Sequence, residues 1–237
     1  MGFLSHVNLV GYNPAVSTTA SPIWANGATQ YVQLTTGTAL EVVSSSANDT
    51  AAGTGARTVR VDGLDGSYVP FSETVTLNGA TPVALTNTSA VAINRTTVLT
   101  AGSGLVNAGN IDVRAVSGSL IKSRIQALAE AQGISQDFVY TVPAGRYGLL
   151  TRVQAYARTN TGDIWYYLKT TNSSGVTFTQ AVGQHSLDVT GFGSGEVVMS
   201  FGRGLLIPEK TLITLIVDVS AGTPLVSAIG ELELYSL

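Results

Sequence analysis

The chain has 237 residues, a formal net charge of −3 and no cysteine, so disulfides, thiolate zinc sites and cysteine nucleophiles are excluded. Its 12 Lys and Arg residues are scattered and form no basic block, which argues against a nucleic-acid partner. Only 11% of residues are charged, against about 25% in an average soluble domain, and Thr, Ser, Asn and Gly fill the gap to give a neutral, hydroxyl-rich surface suited to burial against neighbours.

The N-terminus, MGFLSHVNLVGYNP, lacks a charged region followed by a long apolar run and does not read as a signal peptide. Met1-Gly2 suggests myristoylation, but His6 stands where the pattern needs Ser or Thr. No apolar run approaches about 18 residues, so no membrane span is expected. The Asn-x-Ser/Thr strings at Asn48, Asn87, Asn94 and Asn172 are what a Ser/Thr-rich chain produces by chance. Residues 1–22 hold Pro14, Pro22 and little alternation, and are expected to form an extended arm ordered by a neighbouring subunit.

From Ile23 to residue 117 the pattern predicts one β-sandwich module. Tyr31–Leu34 and Ala39–Val43 read as strands around a Thr35–Thr38 turn. Arg57–Asp62 and Ser72–Leu77 alternate with period two and read as a hairpin, with Gly63-Leu64-Asp65-Gly66 as turn formers. Ser44–Gly55 before them is small, polar and too poor in apolar residues to pack alone. Val83–Leu85, Val91–Ile93, Thr97–Thr100 and Ile111–Val116 follow as short strands between Gly-rich turns, the spacing of an antiparallel sandwich.

Residues 118–136 read as a connector. SLIKSRIQALAEAQ has near-helical apolar spacing and good helix formers, and predicts a short helix over Ile121–Gln132 stopped by Gly133. Residues 137–237 are β again. Phe138–Val142, Tyr147–Arg158, Ile164–Thr171, Thr177–Ala181, Gly195–Phe201, Leu205–Ile207, Leu212–Val219 and Val226–Tyr235 fit a jelly-roll-like sandwich. The fold expected is therefore all-β: two tandem antiparallel β-sandwich or jelly-roll modules behind an N-terminal arm.

The search for chemistry ends without a site: no catalytic, cofactor-binding or metal residues are nominated, and the chain is not expected to be an enzyme. Gly191-Phe-Gly-Ser-Gly195 has the wrong spacing for a nucleophile elbow and reads as a hairpin tip. Gly53-Thr-Gly55 lacks the third Gly and the helix of a phosphate loop. His6 and His185, one in the arm and one in a loop, are too few and too distant for zinc. Asp49, Asp62 and Asp65 fall short of the roughly 6–8 oxygens Ca²⁺ takes, and Asp at a turn accepts from its own backbone. Glu231 and Glu233 read as a solvated strand face. Trp165, Tyr166 and Tyr167 suggest a carbohydrate platform, but alternation turns Tyr166 away from the other two, leaving core and interface packing as the simpler reading.

One resemblance runs through these segments. SSSANDTAAGTGARTVRVDGLDGSY, then ETVTLNGATPV, Asn94-Arg95 and TAGSGLVNAGNI, resemble a module of virion structural proteins of tailed bacteriophages, over roughly Ile23–Val113. Tyr140-Thr-Val-Pro-Ala-Gly145, leading to LLTR, is similar to the second half of the same proteins. The resemblance implies a particle component made in the host cytoplasm and seated on the capsid surface as a decoration or cement protein. It also implies the major capsid protein and copies of itself as partners, with a homotrimer at threefold positions. The alternative it leaves open is a tail, neck or fibre protein that attaches to the host surface. Ser44–Gly55 and the arm are the nominated contacts.

Overall fold

The computed structural model describes residues 2–27, 29–116, 118, 120–127, 133–159, 162–186 and 193–237. Every element among them is a strand. The chain divides into two compact units, one of Met1–Tyr31 with Asp137–Leu237 and one of Val32–Gln136. The second unit is thus inserted into the first, and the expected tandem boundaries at 22 and 117 are not where the chain divides.

The first unit draws on both ends of the chain. Its first sheet holds β1 (Phe3–Asn13), β11 (Arg146–Thr159), β14 (Gly193–Ile207) and β16 (Leu225–Ser236), in the order β1-β16-β11-β14. Its second holds β10 (Val139–Thr141), β12 (Asp163–Thr171), β13 (Thr177–Ser186) and β15 (Leu212–Val219), in the order β10-β15-β12-β13, with β2 (Ser21–Pro22) also on β15. All of these pairings are antiparallel.

β2 and β10 share one position. Along β15, Ser21 lies opposite Val217 and Pro22 opposite Ile216; the Ile23 amide donates to the Leu215 carbonyl; Val139, Tyr140 and Thr141 then lie opposite Thr214, Ile213 and Leu212. The Phe138 amide donates to the Ile23 carbonyl at 3.0 Å and closes the break. Counting β2 and β10 as one strand, the sheets contain strand positions first-eighth-third-sixth and second-seventh-fourth-fifth. That order is a jelly roll, which closes two Greek keys around one core.

Within the residues expected to form an arm, Phe3–Asn13 are the first strand of this jelly roll and Ser21–Pro22 begin its second. β1 pairs with β16 from Phe3↔Tyr235 to Asn13↔Val226, and Leu9 is buried. Alternation along HVNLVGYN sends Val7, Leu9 and Gly11 inward and His6, Asn8, Val10 and Tyr12 outward. A partner from the same chain, at its far end, supplies the order that an arm would need from a neighbour. The core between the two sheets includes Leu9, Ile23, Phe138, Leu150, Val153, Ile164, Tyr166, Leu168, Leu215, Val217, Leu232 and Leu234. Each large aliphatic buried here contributes about 1.5–3 kcal/mol.

The inserted unit is a smaller sandwich. β3 (Leu40–Ser44), β6 (Val83–Ala84), β8 (Ile111–Ala115) and β9 (Ile121–Ile125) form one sheet in the order β6-β3-β8-β9. β4 (Ala56–Asp65), β5 (Pro70–Thr76) and β7 (Ala90–Ala101) form the other in the order β5-β4-β7. Leu40, Val42, Val59, Val61, Val75, Ile93, Ile111, Val113 and Ile125 meet between them.

Three local expectations change here. The helix expected over Ile121–Gln132 is strand β9 over its first part, paired Ile111↔Ile125, Asp112↔Arg124 and Val113↔Ser123, and residues 128–132 lie outside the described residues. Tertiary pairing overrides helix propensity, helped by the two-point contact of Arg124 with Asp112 at 2.6 and 2.7 Å. β4 runs through the expected turn at Gly63-Leu64, because Leu64 is buried and pairs with Pro70; the reversal follows at Asp65–Val69, where Asp65 Oδ1 accepts from the Ser67 and Val69 amides. Tyr31–Leu34 forms no strand; Tyr31 instead packs edge-on against Trp24, ring centroids 5.3 Å apart.

Candidate functional site

Ser44–Gly55, nominated for outward contact, is anchored through the buried Asp49, while Ser45, Ala47, Asn48, Ala51, Ala52 and Thr54 stay exposed. Asp49 is fully buried, and its carboxylate accepts from Ser44 Oγ (2.5 Å) and from the amides of Ala56 (2.7 Å), Ala108 (2.8 Å) and Gly109 (2.9 Å). Its carbonyl accepts from the Gly79 amide at 2.8 Å. One side chain therefore joins the end of β3, the start of β4 and the loop before β8, with the Gly79 backbone from the turn between β5 and β6 joining as well. Charge-assisted bonds of this kind are the stronger ones.

The glycines of the same strings are there because neighbouring backbone, or the Asp49 carboxylate itself, fills their space. A Cβ on Gly55 would lie 2.1 Å from Asp49 Oδ1, one on Gly53 2.0 Å from the Asn48 carbonyl oxygen, and one on Gly102 2.2 Å from the Gly53 carbonyl oxygen. The residues that carry the phage resemblance build a hydrogen-bonded knot rather than a ligand site.

The acidic residues considered for Ca²⁺ are likewise occupied. Asp62 takes Arg60 Nε at 3.0 Å and Ser72 Oγ at 2.7 Å, and Asp65 closes its own turn. No group of three or more His, Cys, Asp or Glu among the described residues is placed to hold a metal ion. His6 lies on β1 with Nδ1 3.9 Å from Glu233 Oε1. His185, expected in a loop, belongs to β13, where it pairs with Ile164. The hairpin tip expected at 191–195 begins outside the described residues.

Tyr166 turns into the core at 1% exposure, while half-buried Trp165 and Tyr167 face outward together. Glu231 and Glu233 point to the outer face of the first sheet, beside Arg152 (3.6 Å) and the Tyr235 hydroxyl (2.6 Å). No helix of the described residues is long and apolar enough to cross a membrane.

Among the described residues, two apolar surfaces distinguish the jelly-roll unit. Phe3, Tyr235 and Tyr147 make one aromatic row across β1, β16 and β11, with Tyr147 and Tyr235 stacked at 5.3 Å. Beyond it opens an apolar groove of about 550 Å³ lined by Tyr147, Leu149, Leu206, Pro208, Glu209 and Leu237. Leu206 is 58% exposed and Leu237 70%. Leu206 and Pro208 also line a smaller cavity of about 120 Å³ under Phe178 of β13. Sequence reasoning missed this surface because β11, β13, β14 and the C-terminus reach it from distant parts of the chain.

No family model and no curated protein matches the chain. Among solved structures, it is similar to that of an infectious bursal disease virus Gt strain, at 14% identity and a TM-score of 0.24, covering 99% of this chain and 73% of the other. The VP2 subviral particle of the same virus matches at 14% identity and a TM-score of 0.24, covering 97% and 71%. Similarity at this level carries no inference about function.

Proposed function

We propose that this chain is a structural component of a tailed-phage particle, a capsid decoration or cement protein. It binds the major capsid protein and copies of itself, without nucleic acid, membrane or cofactor, and does no catalysis. It is made in the host cytoplasm and ends on the capsid surface. The observation that carries the reading is the jelly-roll order β1-β16-β11-β14 over β10-β15-β12-β13, an architecture used by viral capsid and lectin domains. A surface poor in charge, an open apolar groove and the Asp49 knot built from the phage-like strings support it.

Mechanically, such a protein acts by contact. Many modest apolar and hydrogen-bonded contacts, repeated over a shell, resist internal pressure without any single strong site. Mixing the purified chain with shells of the major capsid protein and sedimenting them tests the reading. Saturable co-sedimentation supports it; a chain that stays in the supernatant at every shell concentration contradicts it.

Trp165 and Tyr167 favour a second reading, attachment to the host surface from a tail or fibre. Two aromatics two residues apart on one outward strand face suit stacking against a sugar ring. Glycan binding that disappears in Trp165→Ala would favour it.

A further inference from the structure

We propose that the outer face of the sheet around β12 binds a linear glycan of uncharged hexopyranoses, with Trp165 and Tyr167 as stacking rings and Asp163, Asp218 and Gln184 as the groups that hold hydroxyls. The proposal rests on the second reading above, a sugar stacked on Trp165 and Tyr167, and names the class of sugar. β12 lies between β15 and β13 in its sheet. Trp165 stands between Asp218 of β15 and Gln184 of β13, and Asp163 lies two residues before it on the same face. Tyr167 stands between Ile216 and the small, exposed Ala181. The register shift in β13 between these two rows sets both Gln184 and Ala181 on the outer side.

The polar ends on this face are open. The Asp163 and Asp218 carboxylates, the Gln184 amide, the Trp165 Nε1–H and the Tyr167 hydroxyl make no hydrogen bond or ion pair among the described residues, although all of these side chains but Gln184 are half-buried. The outer face of the first sheet is the opposite case, because its polar groups answer one another. Arg152 lies 3.6 Å from Glu231 and donates to Gln154 Oε1 at 2.9 Å, Gln154 donates to Glu196, and the Tyr235 hydroxyl donates to Glu233 at 2.6 Å.

The chemistry of these groups selects the ligand. Aromatic rings with a few convergent polar groups are the make-up of ligand sites. A pyranose offers an apolar C–H face to a ring and a rim of hydroxyls that both donate and accept. Carboxylates accept only, the Trp165 indole donates only and the Gln184 amide does both, so the set answers hydroxyls in either role. A cationic ligand would leave the Trp165 and Gln184 donors unanswered. Two carboxylates beside Trp165 repel a sugar that carries its own carboxylate or sulfate. Lys169 is the one Lys or Arg of β12, β13 and β15. It sits four residues along the strand from Trp165, about 13 Å, beyond the screening length of about 8 Å in physiological salt. The two rings, about 7 Å apart along β12, give a linear chain two stacking points.

The test titrates the purified full chain with hexasaccharides of glucose, galactose and mannose, with a hexagalacturonate and with a chitosan hexamer, and reads tryptophan emission. Of the chain's two tryptophans Trp24 is buried at 1% exposure, so Trp165 carries the response. At least one neutral hexasaccharide gives a saturable change that Trp165→Phe abolishes. Asp218→Asn weakens that binding at least tenfold and Gln184→Ala at least threefold, while Lys169→Ala leaves it within twofold and all melting temperatures stay unchanged. The two charged oligosaccharides bind at least tenfold more weakly. Neutral-sugar binding that neither Asp218→Asn nor Asp163→Asn weakens overturns the assignment, and so does tighter binding of the hexagalacturonate or the chitosan hexamer; both results leave the stacking reading standing. No response to any of the five probes overturns the assignment and that reading together.

Discussion

The Phe138 amide donates to the Ile23 carbonyl at 3.0 Å, although the whole Val32–Gln136 unit lies between them in the chain. The two residues are the broken ends of one jelly-roll strand. Ends this close are what domain insertion requires, because the host fold need not open to admit the guest.

Each unit is therefore expected to fold on its own. Replacing residues 32–136 by a short Gly/Ser linker leaves a jelly roll with one cooperative thermal transition, and the isolated 32–136 fragment shows another. Calorimetry of both pieces checks this. A jelly-roll piece that does not fold would show that the insert is part of its core.

The Phe138 ring is seated on glycine. A Cβ on Gly230 would lie 2.6 Å from Phe138 Cζ, and one on Gly11 2.7 Å from Phe138 Cβ. Phe138→Ala is expected to cost about 3–5 kcal/mol. Gly230→Ala destabilises by overpacking, about 1–3 kcal/mol, and Phe138→Leu recovers part of that loss by shortening the opposing side chain. A double-mutant cycle in urea reads the coupling; additive effects would contradict the contact.

Asp49→Ala should be among the most damaging changes in the inserted unit. It leaves the Ala56, Ala108 and Gly109 amides without their acceptor. Charge-assisted bonds contribute about 1.5–3 kcal/mol each, and loss of a buried network costs more than one of them. Denaturation of the 32–136 fragment measures it. A loss below about 1 kcal/mol would show that water replaces the carboxylate.

Two buried groups give the two units opposite responses to alkali. Lys122 is fully buried, donates to the Val32 carbonyl, and is pushed down to about 8 by burial. The unfolded chain then binds more protons between pH 8 and about 10.4, so the inserted unit gains stability as pH rises through that window, by at most about 1.4 kcal/mol per pH unit. Lys122→Met removes the slope. In the jelly roll, burial raises the Tyr166 hydroxyl, so stability is retained below about pH 10 and falls above it. The Tyr166 hydroxyl is buried with no hydrogen-bond partner among the described residues. Tyr166→Phe removes that uncompensated group, stabilises by about 1 kcal/mol and reduces the alkaline loss, the remainder coming from Tyr31, whose hydroxyl burial also raises. Urea titrations of the separate units across this range check both signs.

Much of the strand content was legible from alternation. β16 shows why: Val226, Ala228, Leu232 and Leu234 face in while Ile229, Glu231 and Glu233 face out, a period visible without the fold. The place of β1 was not legible, since its partner is the last strand and nothing local encodes that distance. The insertion was hidden because β2 and β10, at two and three residues, are too short to show a period. At β9, residues with good helix propensity are held in a sheet by pairing that only the fold supplies. The motif strings around Asp49 were recognisable, but their role was not, because the donors to that carboxylate come from segments far apart in sequence.

The most direct test of the shell role is copy number per purified virion, by quantitative mass spectrometry against the major capsid protein. The capsid role predicts hundreds of copies, in fixed proportion to the shell subunits. A few to a few tens would contradict it and place the protein at the tail or neck, with Trp165 and Tyr167 as the first residues to test for binding.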